Sequence, residues 1–172
     1  MDKSNNIILI GMTLTGKTTL GKLISEKLNM SFLDTDKIIE EKVHLTVSDI
    51  FNKKGETFFR EEEKKLLNNL KNIKNTVIST GGGVPVFNNN IEKLKHIGIV
   101  VYLKLDLDLI IERANKVSDR PLLKEQFNEK LIKMYNERKD IYEKSDLIIE
   151  IGNSIEENLS KIINVLIKYK KI

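Results

Sequence analysis

The chain has 172 residues, with 29 Lys and Arg against 25 Asp and Glu, which gives a formal net charge of +4. A hydrophobic share of 40% is too high for a disordered chain, and no apolar run approaches the roughly 20 residues of a membrane span. The absence of Cys excludes disulfides, Cys-based zinc sites and thiol catalysis.

Apolar runs alternate with helical patterns from one end of the chain to the other. The runs predict short buried strands, and apolar residues at helical spacing between them predict helices. We expect strands at 7–10, 32–33, 77–79, 99–103 and 147–151, and helices at 17–29, 36–43, 47–53, 57–72, 89–96, 107–115, 127–143 and 154–169. This alternation predicts a single α/β domain over 1–172, with three α/β/α layers around a five-stranded parallel sheet.

One stretch breaks this alternation. Residues 116–126 have no apolar periodicity and include Asp119, Arg120 and Pro121. A segment without an apolar face has little to pack against the core, so we predict that it is the most mobile part of the domain. We place a mobile lid at about 113–126 and the substrate-binding region at about 34–63.

Residues 11–18 match the P-loop pattern, with a predicted strand before them and a helix after them. The backbone N–H groups of such a loop form a cradle for phosphates at a helix N-terminus, where the helix dipole favours anions. Lys17 is expected to reach the outer phosphates and the Thr18 hydroxyl to coordinate Mg²⁺. A chance match is the alternative to a P-loop NTPase fold. The expected ATP-binding residues of this segment are Gly11, Thr13, Leu14, Thr15, Gly16, Lys17, Thr18 and Thr19.

Three Asp residues follow predicted strands. Asp34 and Asp36 come after the second strand, so they should lie beside the P-loop at the carboxyl edge of the sheet. One carboxylate could hold Mg²⁺ while the other accepts a hydrogen bond from a substrate hydroxyl; capping of the next helix is the alternative. Asp106 follows the fourth strand and offers a competing metal site, but for Asp106 we favour the role of a helix cap.

Arg is scarce in this chain: Arg60, Arg113, Arg120 and Arg138 are the four Arg among 29 basic residues. Because a planar guanidinium binds carboxylate and phosphate bidentately, each of them is a candidate for binding an anion. Arg60 and Glu63 lie three residues apart on one helix face, so Glu63 could hold the guanidinium in place. An exposed surface pair is the alternative.

Three consecutive glycines, Gly81, Gly82 and Gly83, follow the third predicted strand. Without side chains they leave backbone N–H groups open to a closely approaching ligand. A flexible turn is the alternative, but a turn needs only one or two glycines. We therefore predict that this segment is one wall of a ligand site.

Together these motifs resemble the shikimate kinase family, which is one of the P-loop kinase families similar to nucleoside monophosphate kinases. The matching segments are GMTLTGKTT at 11–19, DTD at 34–36, FREEE at 59–63, GGGVP at 81–85 and RPLL at 120–123, with Arg138 in the helix before Tyr142. They follow the family order and span nearly the whole chain. Leu14 departs from the family pattern, in which a Gly commonly lies in the loop before the Gly-Lys pair.

The resemblance implies transfer of the γ-phosphoryl group of ATP to the 3-hydroxyl of shikimate, with Mg²⁺ as cofactor, in aromatic amino-acid biosynthesis. Lys17, Asp36 and Arg120 would be the catalytic residues, and Thr18 and Asp34 would hold the metal. The implied shikimate-binding residues are Asp36, Arg60, Glu63, Gly81, Gly82, Gly83 and Arg138. The implied ATP-binding residues outside the P-loop are Arg113 beside the adenine, Arg120 on the lid and Asn153 in the loop at 152–154.

Two other functions remain open at this stage. One is a kinase of the same fold that acts on gluconate or on a nucleotide, but two Arg for a carboxylate and an Asp for hydroxyls favour a hydroxylated acid over a nucleobase. The other is a non-catalytic nucleotide-binding or partner-binding protein, against which the intact Lys17, Thr18, Asp34 and Arg120 argue.

The expected partners are the small-molecule substrates. The net positive charge comes mostly from scattered Lys, so we expect no nucleic acid and no membrane as partner. The polar start of the chain leads into only four apolar residues, Ile7–Ile10, which are too few for a secretory signal. We therefore expect a cytoplasmic protein, and we expect it to be a monomer.

Overall fold

The computed structural model of the chain describes residues 5–117 and 121–170, with side chains at all of these positions except 117, 121–125 and 170. Within these ranges, five parallel strands form one sheet in the order β2-β3-β1-β4-β5. The strands are β1 (Ile7–Ile10), β2 (Ser31–Asp34), β3 (Thr76–Ser79), β4 (Ile99–Leu105) and β5 (Leu147–Ile151). The predicted α/β fold with a five-stranded parallel sheet is therefore confirmed.

Helices connect the strands throughout the described ranges. They are α1 (Lys17–Lys27), α2 (Thr35–Val43), α3 (Val47–Leu70), α4 (Asn90–Ile97), α5 (Leu107–Val117), α6 (Pro121–Tyr142) and α7 (Ile155–Lys170), with a short 3-10 helix at Phe87–Asn89. The two helices predicted at 47–53 and 57–72 form the single element α3, which is broken at Gly55, where φ is 82° and ψ is 165°. No helix in the described part of the chain is long and apolar enough to cross a membrane.

The centre of the sheet is β1, rather than the longer β4. Every side chain of β1 is fully buried, because strands lie on both sides of it and helices cover both faces. A smaller cluster of Ile39, Ile50 and Phe59 lies apart from this core and joins α2 to α3. This second cluster packs α3, up to the residue before Arg60, against α2, which follows β2 directly.

The segment after α5 differs from the prediction. Residues 116–126 were expected to lack regular structure, but α5 continues to Val117 and α6 begins at Pro121. Pro is favoured at the first position of a helix because the missing N–H has no partner in the first turn and φ is already helical. A helix can therefore begin at Pro121 without apolar periodicity. Residues 118–120, including Arg120, lie outside the described residues.

The order of the strands brings the predicted motifs to one edge of the sheet. The P-loop follows β1, the three glycines follow β3, which is hydrogen-bonded to β1, and Asp34 ends β2 on the far side of β3. Because all strands are parallel, these ends share the carboxyl edge, which is where ligands bind in open α/β sheets.

Candidate active site

The loop between β1 and α1 is shaped as an open cradle. Gly11 has a φ of 143°, and a Cβ there would lie 2.8 Å from the carbonyl oxygen of Leu103, so only glycine fits. The Thr15 hydroxyl donates to the Met12 carbonyl oxygen at 2.9 Å and closes the loop. Gly16 begins α1 with no side chain capping the helix. The first N–H groups of α1 are thus left for an anion.

Lys17 lies at the base of this cradle. Its ammonium donates to the carbonyl oxygens of Gly11 at 3.0 Å and Met12 at 2.6 Å. Burial lowers the pKa of Lys17 to about 8, although the carboxylates of Asp36 and Asp34 act in the opposite direction. A phosphate in the cradle would favour the charged form of this buried amine.

Thr18 and Asp34 are hydrogen-bonded to each other across the loop. The Thr18 hydroxyl donates to Asp34 Oδ2 at 2.7 Å. Asp34 Oδ1 accepts from the backbone N–H groups of Asp36 and Lys37, so it caps α2. The two predicted roles of Asp34 therefore fall on different oxygens: one caps the helix and the other faces the P-loop.

This pair also fits a magnesium ion. In the described part of the chain no group of three or more His, Asp or Glu side chains is arranged to hold a metal. Mg²⁺ does not need such a cage, because it commonly binds through one or two carboxylates together with waters and substrate phosphates. The oxygen atoms of Thr18 and Asp34 beside the cradle are ligands of this kind.

Asp36 lines a cavity at this edge, which has a volume of about 440 Å³ and is also lined by Thr13, Lys17, Thr18, Thr19, Asp34, Gly81 and Gly82. Asp36 Oδ1 is buried and has no hydrogen-bond partner among the described residues. Burial and, after it, the nearby Asp34 carboxylate raise the pKa of Asp36 to about 6, while Lys17 acts against this. A buried acceptor without a partner in a cavity is suited to a ligand hydroxyl.

A charged side chain lies beside each of the three glycines. A Cβ on Gly81 would collide with the Asp36 carboxylate, and one on Gly83 would lie 2.6 Å from both terminal nitrogens of Arg60. A Cβ on Gly82 would lie 3.4 Å from Arg138 Nη1. The glycine segment therefore brings together Asp36, Arg60 and Arg138, which come from three different helices.

Arg60 is held rigidly in this arrangement. Nη1 donates to Glu63 at 2.7 Å, and Nε and Nη2 both donate to Glu56 Oε1, at 3.2 and 2.9 Å. The guanidinium carbon lies 4.0 Å from the centre of the Phe87 ring. These contacts leave one N–H on Nη1 and one on Nη2 without a described partner, which suits a bidentate anion.

The alternative of an exposed surface pair is wrong for Arg60 and Glu63. The side chain of Glu63 is 2% exposed and that of Arg60 is 14% exposed. Glu63 Oε1 is buried without a described partner, and burial raises the pKa of Glu63 despite the hydrogen bond from Arg60.

A second cavity, of about 400 Å³, lies on the other side of the P-loop and is lined by Thr15, Gly16, Thr19, Leu20, Arg113, Lys116, Asn153, Ile155 and Asn158. Arg113 connects its walls: Nη1 donates to the Leu14 carbonyl oxygen at 2.8 Å, and Nη2 donates to the Gly152 carbonyl oxygen at 2.9 Å and to Asn153 Oδ1 at 3.3 Å. Arg113 and Asn153, the predicted ATP-binding residues outside the P-loop that the structure describes, thus lie together, and Arg120 lies outside the described residues.

Asp106 caps a helix, as predicted. Its Oδ1 accepts from the backbone N–H of Asp108 at 2.9 Å, in the first turn of α5.

Several residues of the site were missed by the sequence analysis. The Thr35 hydroxyl accepts from Gly81 N–H at 3.0 Å, and the Tyr142 hydroxyl donates to the Gly82 carbonyl oxygen at 2.7 Å. Asn158 holds Gly152 through both its N–H and its carbonyl group. The contacts with Thr35 and Tyr142 join residues 46 and 60 positions apart, so local spacing carries no signal for them.

The fold and the site define a P-loop kinase that acts on a small molecule. The family model for shikimate kinase matches residues 14–167. A shikimate kinase from Clostridium botulinum strain Loch Maree is 47% identical over 169 residues, which cover 97% of this chain and 99% of the relative. The chain belongs to the shikimate kinase family, so the predicted activity, transfer of phosphate from ATP to shikimate, is confirmed.

Solved structures agree with this assignment. The shikimate kinase from Acinetobacter baumannii in complex with shikimate has a TM-score of 0.87 and 36% identity, covering 98% of this chain and 96% of that one. A gluconokinase from Sinorhizobium meliloti has a TM-score of 0.55 at 13% identity, with 96% and 97% of the two chains covered. The second likeness shows a shared fold alone.

Proposed function

We propose that shikimate binds at the side of the 440 Å³ cavity that Asp36, Gly81 and Gly82 line, and that the 400 Å³ cavity binds the adenosine part of ATP. The P-loop, whose Gly16 and Thr19 line both cavities, would hold the phosphates between them. The observation that carries this proposal is the convergence of Asp36, Arg60 and Arg138 on three successive glycines. A cyclic acid with several hydroxyls offers both a carboxylate for the guanidinium groups and a hydroxyl for the carboxylate of Asp36.

Arg60 and Arg138 are the proposed carboxylate ligands. Arg60 has two N–H groups without a described partner, and Glu63 and Glu56 keep its guanidinium in one orientation. Such preorganisation reduces the entropy that is lost when a ligand binds. Glu63 acts here as the group that orients Arg60.

Asp36 is the proposed partner of the reacting hydroxyl. With a pKa of about 6, its carboxylate is mostly ionised at neutral pH and can accept the hydrogen bond. The 3-hydroxyl oxygen attacks the γ-phosphorus, the bond from that phosphorus to the β–γ bridging oxygen breaks, and ADP leaves. The hydroxyl proton passes to Asp36 or to water, and little basicity is needed if the transition state is loose.

Positive charge at the phosphates comes from two sides. Lys17 lies at the base of the cradle, and the proposed role of Arg120, which lies outside the described residues, is to approach from the lid at 113–126. Mg²⁺ held by Thr18 and Asp34 would neutralise phosphate charge during transfer. The N–H groups of residues 11–16 and α1 hold the outer phosphates in place.

A monomeric state and a cytoplasmic location stay predictions, as does the absence of nucleic-acid and membrane partners. A single chain carries all the residues proposed for both substrates, so the proposed reaction needs no second subunit.

Conservative Arg-to-Lys changes test the assignment of the two cavities. Arg60→Lys and Arg138→Lys keep the charge but lose the bidentate fork, so each should raise the KM for shikimate by about 10- to 100-fold, since charge-assisted hydrogen bonds contribute about 1.5–3 kcal/mol. The KM for ATP should barely move. Steady-state kinetics with one substrate varied at a time give both constants.

Arg113→Lys is the matched control, because the same change is made on the ATP side. It should raise the KM for ATP and leave the KM for shikimate unchanged. If Arg60→Lys and Arg138→Lys raised the KM for shikimate and the KM for ATP equally, the assignment would be contradicted. Circular dichroism and thermal melting would then show whether the variants have a folding defect.

A further inference from the structure

We propose that the Tyr142 hydroxyl is a positioning group that selects one of two orientations of the peptide between Gly82 and Gly83, so that Gly83 N–H is presented to the acceptor substrate. This inference rests on the proposed function, in which the glycine segment is a wall of the shikimate site. Tyr142 touches neither substrate in this proposal; its hydroxyl acts through the backbone of the turn, and it also interacts with the side chain of Arg138.

The glycine segment is a β-turn. Val84 N–H donates to the Gly81 carbonyl oxygen at 3.1 Å, so Gly82 and Gly83 occupy its two central positions. The peptide between the central residues of such a turn has two common orientations, which differ by a flip of about 180°. One of the two requires a positive φ at the third residue of the turn, which here is Gly83.

Two central glycines leave this choice open on steric grounds. Most residues at the third position would exclude the orientation with positive φ, but glycine adopts it readily. Neither Gly82 nor Gly83 has a positive φ here, since among the described glycines only Gly11, Gly16 and Gly55 do. The Gly83 carbonyl oxygen also accepts from Val86 N–H at 3.0 Å, so an overlapping turn favours the observed orientation, and a hydrogen bond to the Gly82 carbonyl would stabilise it further.

The Tyr142 hydroxyl provides that contact. It donates to the Gly82 carbonyl oxygen at 2.7 Å, and this carbonyl belongs to the central peptide of the turn. In a trans peptide the C=O and the next N–H point in opposite directions, so Gly83 N–H points away from Tyr142. A flipped peptide would lose this hydrogen bond and would turn Gly83 N–H towards the tyrosine.

Gly83 N–H is left for a ligand. No described residue accepts a hydrogen bond from it, although Gly83 is buried. Buried backbone donors in native proteins nearly always have a partner, so a bound acceptor at this position would satisfy a group that the protein leaves open. Arg60 lies against the same residue, because a Cβ on Gly83 would be 2.6 Å from its terminal nitrogens.

Tyr142 is itself fixed in place. Its side chain is fully buried, and its ring packs on Tyr102 with 5.1 Å between the ring centres. Burial raises the pKa of Tyr142, so the hydroxyl keeps its proton and stays a donor. On the other side of the turn the Thr35 hydroxyl accepts from Gly81 N–H at 3.0 Å. Because Thr35 fixes the N–H of Gly81, the hydrogen bond from Tyr142 determines the orientation of the peptide between Gly82 and Gly83.

The test is Tyr142→Phe, which removes one oxygen atom and keeps the packed ring. We expect the KM for shikimate to rise about three- to tenfold, as expected for the loss of one neutral hydrogen bond, while kcat and the KM for ATP change less than about twofold. Tyr102→Phe is the matched control, because it removes a hydroxyl from the stacked neighbour and leaves the contact with Gly82 intact. It should leave the KM for shikimate unchanged.

Nuclear magnetic resonance gives a readout that does not depend on turnover. The chain has nine glycines, so ¹⁵N-glycine labelling yields a simple spectrum. In the wild-type protein the Gly83 amide should shift strongly when shikimate is added. In Tyr142→Phe its position should already differ without ligand, because both peptide orientations are populated.

Three outcomes would overturn the inference. The first is a KM for shikimate in Tyr142→Phe that matches Tyr102→Phe. The second is an equal rise in both KM values together with a lower melting temperature, which would indicate a purely structural role. The third is an unchanged Gly83 amide in ligand-free Tyr142→Phe. A wild-type protein that does not phosphorylate shikimate would instead refute the proposed function, and the ligand-free spectra would still test the turn.

Discussion

Arg113 Nη1 donates a 2.8 Å hydrogen bond to the carbonyl oxygen of Leu14, a residue whose φ of 62° lies in the left-handed region. This conformation costs a non-glycine residue about 1–2 kcal/mol, whereas a Gly would adopt it without that strain. The Leu14 carbonyl shares its peptide with Thr15 N–H, so the contact also orients one N–H of the phosphate cradle. Arg113 thus holds a strained P-loop in place.

A double-mutant cycle should reveal this coupling. Arg113→Met removes the hydrogen bond and should raise the KM for ATP, partly because Leu14 then relaxes out of the left-handed region. Leu14→Gly removes the strain. When Leu14→Gly is already present, the rise in the KM for ATP caused by Arg113→Met should therefore be about fivefold smaller, which corresponds to about 1 kcal/mol. Steady-state kinetics of the four proteins give the coupling.

The shikimate side serves as the control for that cycle. Two proteins with the same residue at position 14 should not differ in the KM for shikimate, because Arg113 lines the other cavity, whereas Leu14 lines the 440 Å³ cavity. If the free-energy effects of the two substitutions, calculated from the KM for ATP, are additive, Arg113 does not relieve strain at Leu14.

Shikimate binding should depend on pH through Asp36. Its pKa is raised to about 6, mainly by burial, so the carboxylate is ionised above that pH and protonated below it. Only the ionised form offers both oxygens as acceptors, so binding should tighten as the pH rises through about 6 and then level off. Calorimetric titration with shikimate, without nucleotide and with a metal chelator, isolates this effect from Mg²⁺.

Asp36→Asn identifies the titrating group. The variant should bind shikimate weakly and without this step in the pH profile. A step that persists in Asp36→Asn would assign the titration to Glu63, whose pKa burial also raises. A flat profile in the wild-type protein would contradict the proposed contact between Asp36 and a substrate hydroxyl.

Strands were the most predictable part of the fold. The bounds of β1 and β5 agree with the apolar runs, because both runs end abruptly at polar residues or glycine. β4 is longer than predicted, since it includes Lys104, whose ammonium pairs with Glu143 at 3.1 Å. The start of α6 was missed because residues 121–126 lack the apolar spacing that identifies a helix.

In the site, charged residues could be predicted and hydroxyl contacts could not. Asp36, Arg60 and the glycines were recognisable from composition and spacing, because Asp36 and the glycines follow predicted strands and Arg is scarce in this chain. Thr35 and Tyr142 act through hydrogen bonds to the backbone of a distant loop. Such contacts depend on how the strands are ordered in the sheet, which a local pattern does not determine.

Arg120 should act in the transition state rather than in substrate binding. It lies outside the described residues, immediately before the start of α6 at Pro121. Arg120→Ala should lower kcat by about 100- to 1000-fold, because a positive donor aimed at developing charge is lost, while the KM for shikimate changes little. Lys133→Ala, which removes an exposed positive charge elsewhere on α6, should change neither constant.

Hydrogen exchange gives a second test of the proposed lid at 113–126. Its amides should become protected only when nucleotide and acceptor are both bound. Arg120 would instead be a static substrate ligand if Arg120→Ala weakened shikimate binding and left kcat unchanged. Amides at 113–126 that are already protected without ligands would lead to the same conclusion.

The most direct measurement is ADP formation by the purified chain with ATP and Mg²⁺, alone and with shikimate, gluconate or a nucleoside monophosphate as acceptor. We predict rapid ADP formation with shikimate only, an equal amount of shikimate 3-phosphate by ³¹P NMR, and no reaction in Lys17→Ala, which lacks the buried ammonium at the base of the phosphate cradle. ADP formation with gluconate or a nucleotide but not with shikimate, or near wild-type turnover in Lys17→Ala, would contradict the assignment of this site.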